Sequence, residues 1–253
     1  MNLPIHLIFW QSGLDLASQE SEKLETMRRE FVANVSHELK TPVTVMRGSL
    51  EALVDQVVTD PVMIEEYHMQ MLKESKFLQR LVEDLLELSK LQSMDFVIEK
   101  TEISLFDVIE EVTRSANHLA NKRGVSIMVR KDMSDYKIIG DYGRIRQMIM
   151  IILDNAIKFS PKNEIVQLVL ENNRLYIKDQ GIGIEAENLP YIFDRFYKSR
   201  SEKNKTGTGL GLSIAKNIAD RHHIKLTAES TQGEGAKFIF DLQPHSTSQK
   251  EKT

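Results

Sequence analysis

The chain has 253 residues, 41% hydrophobic and 28% charged, with a formal net charge of −4 and no cysteine. That length holds one large domain or two ordinary ones, and the balance supplies adequate core material. The charge marks no nucleic-acid partner, the missing cysteines remove disulfide frameworks and thiolate metal sites, and no stretch reaches the ~20 apolar residues of a membrane-spanning helix.

The first apolar segment, Leu3–Trp10, is short and lacks the basic flank and small-residue cleavage site of a secretory signal. Residues 14–58 then read as one long helix. Leu24, Met27, Phe31, Val35, Leu39, Val43, Met46, Leu50, Leu53 and Val57 recur at steps of three and four. Pro42 falls inside this pattern and should kink it, because proline removes a backbone donor and crowds the preceding turn. Thr59-Asp60-Pro61 ends the helix and starts the next, with Asp60 as N-cap and Pro61 at the first helical position.

The second helix is expected from Pro61 to Gln92. Ile64, Met71, Leu78 and Leu85 form one heptad row, and Tyr67, Leu81 and Leu88 form another, interrupted by Glu74. Two long helices with narrow apolar seams make an antiparallel hairpin. Alone it cannot bury both stripes, whereas a homodimeric four-helix bundle can.

From about residue 95 the pattern changes to mixed strands and helices. Phe96–Ile103 looks strand-like, Leu105–Arg123 helical, Val125–Arg130 a strand and Gly143–Phe159 a strongly apolar helix. Ile165–Leu170 and Arg174–Asp179 read as a hairpin through Glu171-Asn172-Asn173. A glycine-rich loop becomes a helix over Gly207–His222, and Ile224–Glu229 and Ala236–Leu242 read as closing strands. The sum is an α+β sandwich, one sheet with helices on one face, followed from Pro244 by a polar tail expected to be disordered.

Four segments bear chemistry. In Ser36-His37-Glu38-Leu39-Lys40-Thr41-Pro42 a carboxylate directly follows an imidazole. A neutral imidazole nitrogen is a good nucleophile near pH 7, and Glu38 can take or hold its second proton. Thr41 could position a water for the reverse, hydrolytic direction. Asp154-Asn155-Ala156-Ile157-Lys158-Phe159 places Asn155 and Lys158 on one helix face. An amide oxygen is a hard ligand suited to Mg²⁺ on nucleotide phosphates, and a lysine one turn on neutralises phosphate charge.

In Asp179-Gln180-Gly181-Ile182-Gly183 a strand-end carboxylate could accept from an exocyclic base amine, with glycines letting backbone approach a flat ring. Gly207-Thr208-Gly209-Leu210-Gly211-Leu212 leads into a helix, where glycine amides make a phosphate cradle. It lacks a Gly-Lys-Ser/Thr ending and the dinucleotide spacing, so it is neither a P-loop nor a Rossmann fingerprint. Taken singly, these are a surface histidine, a polar helix face, a turn and a linker; their order and joint presence is the signal.

The chain resembles the cytoplasmic transmitter of a bacterial two-component sensor histidine kinase. Ser36–Pro42 is similar to that family's H box, Asn155–Lys158 to its N box, Asp179–Gly183 and Gly207–Gly211 to its glycine boxes, and Phe193-Asp194-Arg195-Phe196-Tyr197 to its F box. Gly233-Glu234-Gly235, followed by Lys237–Phe240, looks like its last box. Ile151 stands where the family usually has a second asparagine.

The resemblance implies a phosphoacceptor hairpin over 31–94 after a signal-transmitting helix at 1–30, an ATP-binding domain of the GHKL (Bergerat) type over 95–243, and a tail at 244–253. It implies His37 as the phosphorylated residue with Glu38 as its base and Thr41 beside them. Asn155 would ligate Mg²⁺, Lys158 would contact phosphate and Asp179 would read adenine. Phe159, Gly181, Gly183, Gly207, Gly209, Leu210 and Gly211 would line the ATP site. Residues 185–206 would form a lid from which Lys198 and Arg200 reach the phosphates. The implied activity is autophosphorylation from ATP and transfer to a response-regulator aspartate, with phosphatase activity toward that regulator. The implied setting is a homodimer, itself soluble, within a membrane-anchored sensor on the cytoplasmic side of a bacterial membrane. Rival readings are a mainly dephosphorylating enzyme, an ATP-binding scaffold without transfer, and a dimerisation module with an inactive nucleotide domain.

Overall fold

The computed structural model describes residues 5–93, 96–132, 136–198 and 207–242, with side chains from residue 21 onward apart from 23 and 24. The tail expected from 244 and lid residues 199–206 lie outside these. Two compact units divide the chain, 1–79 and 80–253.

The first unit holds helix α1 (Ile5–Val54) and most of α2 (Pro61–Gln92). α1 runs unbroken through Pro42, which is buried. It stops four residues short of the expected end, where Gln56 takes a positive φ of 54°. α2 begins where expected: the Asp60 carboxylate accepts from the amides of Val62 (2.9 Å) and Met63 (3.1 Å), which satisfies two of the orphan donors of a helix start. Val32, Val43, Leu50, Met63, Met69 and Leu72 remain exposed along the two helices.

The second unit starts with the last turns of α2 from Arg80. It continues with β1 (Thr101–Ser104), α3 (Leu105–Arg123), β2 (Ser126–Lys131), β3 (Lys137–Gly140), α4 (Tyr142–Phe159), β4 (Ile165–Glu171) and β5 (Arg174–Lys178). A short 3₁₀ turn (Leu189–Tyr191), α5 (Gly211–Arg221), β6 (Lys225–Ser230) and β7 (Ala236–Asp241) complete it. The main sheet has the order β2-β4-β5-β7-β6, with only the β2–β4 pair parallel. Along β7, Ala236, Phe238 and Phe240 are buried while the alternate residues are not. This is the period-two pattern of a sheet with one covered face.

α4 packs against both α3 and α5, and Ile145, Ile149, Ile152, Leu153 and Ile157 on it are fully buried, each worth about 1.5–3 kcal/mol of transfer free energy. Local chemistry sets its neighbours' ends. Ser104 caps α3, Asp141 caps α4, and Gly124 closes α3 in the left-handed conformation. Asn172 and Asn173, both at positive φ (48° and 60°), make the β4–β5 hairpin turn.

The expected single sheet is instead two sheets among the described residues. The strand expected over 96–103 is confined to Thr101–Ser104, and it pairs not with the main sheet but with β3, an element the sequence pattern does not announce. Upstream, Phe96 has no strand partner. The guanidiniums of Arg144 (5.0 Å) and Arg221 (5.4 Å) both lie over its ring, and Arg221 donates to the carbonyls of Phe96 (3.0 Å) and Ser93 (2.7 Å). Cation–π contact and charge-assisted hydrogen bonds, rather than a ladder, hold this connection.

His222 joins α5 to α4. Its Nε2 accepts from the Asp141 amide (3.1 Å), and its Nδ1 lies 2.7 Å from the Ile218 carbonyl. Only the neutral Nδ1–H tautomer serves both. Burial pushes its pKa below the usual 6.5, the Ile218 carbonyl and Asp141 oppose this, and His223 and Lys100 add to it. With the folded-state value depressed, the contribution is complete above about pH 6.5 and is lost as pH falls through the folded value. Burial shifts Asp84, Asp154 and Asp179 upward instead, with the opposite pH dependence. The readout is therefore a difference: the urea-midpoint gap between the native protein and His222→Gln should narrow from pH 7.5 to pH 5. A gap that stays constant would refute the tautomer assignment.

Candidate functional site

A cleft of about 930 Å³ opens in the second unit, and all its lining residues belong to that unit. Asn155, Lys158, Phe159, Asp179, Gly183, Lys198, Gly207, Gly209 and Gly211 line it. Thus α4, the turn after β5 and the loop before α5 deliver the separate sequence segments to one cavity. Gly181 and Leu210 are not on the wall. Gly181 is buried behind Asp179, and Leu210 is fully buried, so its side chain serves the core. His37, Glu38 and Thr41 lie in the first unit, on α1.

Asp179 is 4% exposed. Its Oδ1 accepts from the amides of Gly181 (2.8 Å) and Ala236 (3.2 Å). Burial raises its pKa, and these two donors oppose the rise. The glycines of this turn avoid the protein itself. A Cβ on Gly181 would sit 2.8 Å from Asp179 Oδ1 and 2.9 Å from the Phe159 carbonyl oxygen, and one on Gly183 would run into the Thr231 carbonyl.

Gly209 has φ of +77°, and a Cβ there would lie 2.8 Å from Phe196 Cα; only glycine fits. The residue before α5, Leu210, makes no side-chain cap. The first amides of α5 are therefore not capped from that position, at an end where the helix dipole favours an anion. The Thr208 hydroxyl donates to Asp84 of α2 (2.5 Å) and accepts from the Leu210 amide (3.3 Å). Ile151, at the position of the absent second asparagine, lines the cleft and lies where a Cβ on Gly211 would touch its Cγ2 (3.4 Å).

Lys158 and Asp154 face the same cleft from α4. Burial lowers the Lys158 pKa, Asp154 opposes this, and Arg123, Arg80 and Lys198 depress it further. Burial raises Asp154, while Arg123, Lys158 and Arg80 pull it back. Asn155 offers an amide oxygen beside them; among the described residues no trio of His, Cys, Asp or Glu forms a metal cage. That donor set suits a hard cation whose other ligands come from phosphate oxygens. Arg80, Asp84 and Arg123 also line the cleft, and no motif in the sequence signals them; Thr208, inside the glycine-rich segment, lines it too.

On α1, His37 is exposed and Glu38 half-buried. The Thr41 hydroxyl donates to the His37 carbonyl at 3.3 Å, the back-bond common for threonine inside helices. Being exposed, it retains acceptor capacity toward a water.

Residues 27–93 match the His Kinase A (phospho-acceptor) domain, and residues 140–246 match the histidine kinase-, DNA gyrase B- and HSP90-like ATPase family. The chain is 33% identical over 228 residues to the sensor protein SrrB of Staphylococcus aureus strain N315, covering 87% of this chain but 38% of that protein. The chain thus spans well under half the length of this relative. In fold it is similar to the Acinetobacter baumannii histidine kinase AdeS, with TM-score 0.65, 24% identity and coverage of 83% of this chain and 98% of that one. It is also similar to the histidine kinase ThkA solved in complex with the response regulator protein TrrA, with TM-score 0.69, 24% identity and coverage of 91% and 67%. Among the described residues no helix is long and apolar enough to cross a membrane. With an α-helical phospho-acceptor segment followed by an ATPase-type sheet domain in the matching order, the chain belongs to the sensor histidine kinase family.

Proposed function

We propose that the chain is an ATP-dependent protein histidine kinase that phosphorylates its own His37 and passes the phosphoryl group to an aspartate of a response-regulator receiver domain. The observation that carries this reading is the single cleft shared by a buried, amide-fixed carboxylate, Asp179, and a glycine-rich helix start whose preceding residue, Leu210, makes no side-chain cap. The first suits a base amine and the second a polyphosphate. Family membership and the exposed His37, with the half-buried Glu38 next to it on α1, support the acceptor.

In this reading the adenine amine donates to Oδ2 of Asp179, since Oδ1 is engaged by two amides. Lys158, Lys198 and the backbone of Gly207–Gly211 hold the phosphates. Asn155 would hold Mg²⁺, which neutralises phosphate charge when bound. Nε2 of His37 attacks the γ-phosphorus, the bond to the β–γ bridging oxygen breaks, and ADP leaves with that electron pair. Glu38 accepts or holds the Nδ1 proton. An aspartate oxygen of the receiver then attacks phosphorus, the P–N bond breaks with its electron pair left on Nε2, and His37 returns to neutral imidazole, taking back any proton that Glu38 had accepted. Homodimerisation through the hairpin is part of the proposal, supported by the apolar side chains left exposed on α1 and α2. So is a place within a longer membrane-anchored sensor, supported by the match to a sensor protein of greater length.

Incubation with γ-labelled ATP and Mg²⁺ should give acid-labile, base-stable label that disappears in His37→Gln. Label persisting in that variant defeats the assignment, and no label in either favours an ATP-binding scaffold. Asp179→Asn tests the base contact. Two amides require the carboxamide oxygen at the Oδ1 position, which turns the NH₂ toward the base amine. Nucleotide affinity should then fall about 10- to 100-fold, the worth of one buried hydrogen bond to a charged group; unchanged affinity on calorimetric titration would place the base elsewhere.

Dephosphorylation of the regulator is a second proposed activity, with Thr41 accepting from or orienting the attacking water. Thr41→Ala should keep the rate of autophosphorylation and slow loss of label from the phosphorylated regulator. If both reactions fail together, Thr41 has no separate hydrolytic role.

A further inference from the structure

We propose that Arg80 and Arg123 are phosphate-binding residues of the nucleotide site, one supplied by the last turns of α2 and the other by the C-terminus of α3. This rests on the reading of the cleft as an ATP site. Both arginines line it together with Lys158, Lys198 and Asp154. Neighbouring Lys122, equally placed to favour the negative end of the α3 dipole, does not line it, so a helix-end role does not explain why Arg123 faces the cavity.

Charge supports the assignment. Arg80, Arg123 and Lys198 all act unfavourably on the half-buried Lys158, with Asp154 as its compensating carboxylate. Arg80 and Arg123 also favour the ionised Asp154, and Arg80 the ionised Asp84. Four cations, Lys158 among them, thus gather around two carboxylates, and the other three repel the partly desolvated Lys158 with weak screening. A polyanion offsets that repulsion. Guanidinium forks also match phosphate oxygens bidentately, which a lysine cannot do.

Position supports it as well. Asp84 lies one helical turn after Arg80, and its carboxylate accepts the hydroxyl of Thr208 at 2.5 Å, inside the glycine-rich loop. Thr208 in turn accepts from the Leu210 amide at the start of α5. The stretch of α2 that bears Arg80 is therefore tied to the loop assigned to the phosphates. Leu81, Leu88 and Leu91, all buried, fix the same stretch. Nucleotide phosphates would thus be read partly by the helix that continues into the hairpin.

The test is the ratio of affinities for a non-hydrolysable ATP analogue and for adenosine, measured by calorimetry on the full chain with Mg²⁺. Adenosine uses the Asp179 end alone. Arg80→Gln and Arg123→Gln should each lower analogue affinity about tenfold or more with less than about twofold change for adenosine, and both should flatten the dependence of analogue affinity on salt. Arg80→Lys and Arg123→Lys, which keep the charge, should recover part of the loss. If the variants that bind adenosine keep the native ratio, or if none binds adenosine, the assignment is overturned. A native protein that binds neither compound overturns the nucleotide reading itself, a separate outcome.

Discussion

One carboxylate oxygen organises the second unit's functional end. Asp179 Oδ1 accepts the amides of Gly181 and Ala236, and the Asp179 amide donates to the Ala236 carbonyl (2.9 Å). The end of β5, the turn after it and the start of β7 are thus joined at a buried point. Each glycine around this point is small because the backbone already fills the space: Gly181 abuts Asp179 and Phe159, and Gly235 the Asp179 carbonyl. A buried carboxylate is costly unless its acceptors are met. Here two amides meet one oxygen, leaving the group oriented toward the cleft rather than free to rotate.

The cleft departs from a uniform cavity in its electrostatics. At Asp179 it offers an acceptor in a mostly apolar wall that includes Ile182 and Phe238. Around Lys158 and Asp154 it offers cations and a glycine-rich helix start. A ligand that satisfies both has a planar heterocycle with an exocyclic amine and a polyanionic tail. The asymmetry argues for a nucleoside polyphosphate more strongly than any single motif, since each part alone has an ordinary structural explanation.

Much of this architecture was legible in the sequence where the deciding forces are local. Asp60-Pro61 sets the start of α2 because a cap and a preset φ act within three residues. Asn172-Asn173 sets the β4–β5 turn because both residues tolerate positive φ. α4 is readable from its apolar period. β3 is not readable: four residues have no period to count, and Lys137–Gly140 becomes a strand only because Thr101–Ser104 lies beside it. For the same reason Phe96 reads as strand from its β-propensity, while two arginines from distant helices claim its ring instead.

The candidate site divides along the same line. Residue order alone determined the chemical inventory: an imidazole beside a carboxylate, an amide and a lysine on one helix face, a strand-end aspartate, and glycines before a helix. Only the tertiary structure decided which of these share a cavity, that Leu210 belongs to the core and Gly181 to the layer behind Asp179, and that Arg80, Arg123, Asp84 and Thr208 join the wall. The physical reason is range. Helix faces, caps and turns are settled over a few residues. The Asp84–Thr208 bond spans 124 positions, and nothing within a few residues of either end specifies the other.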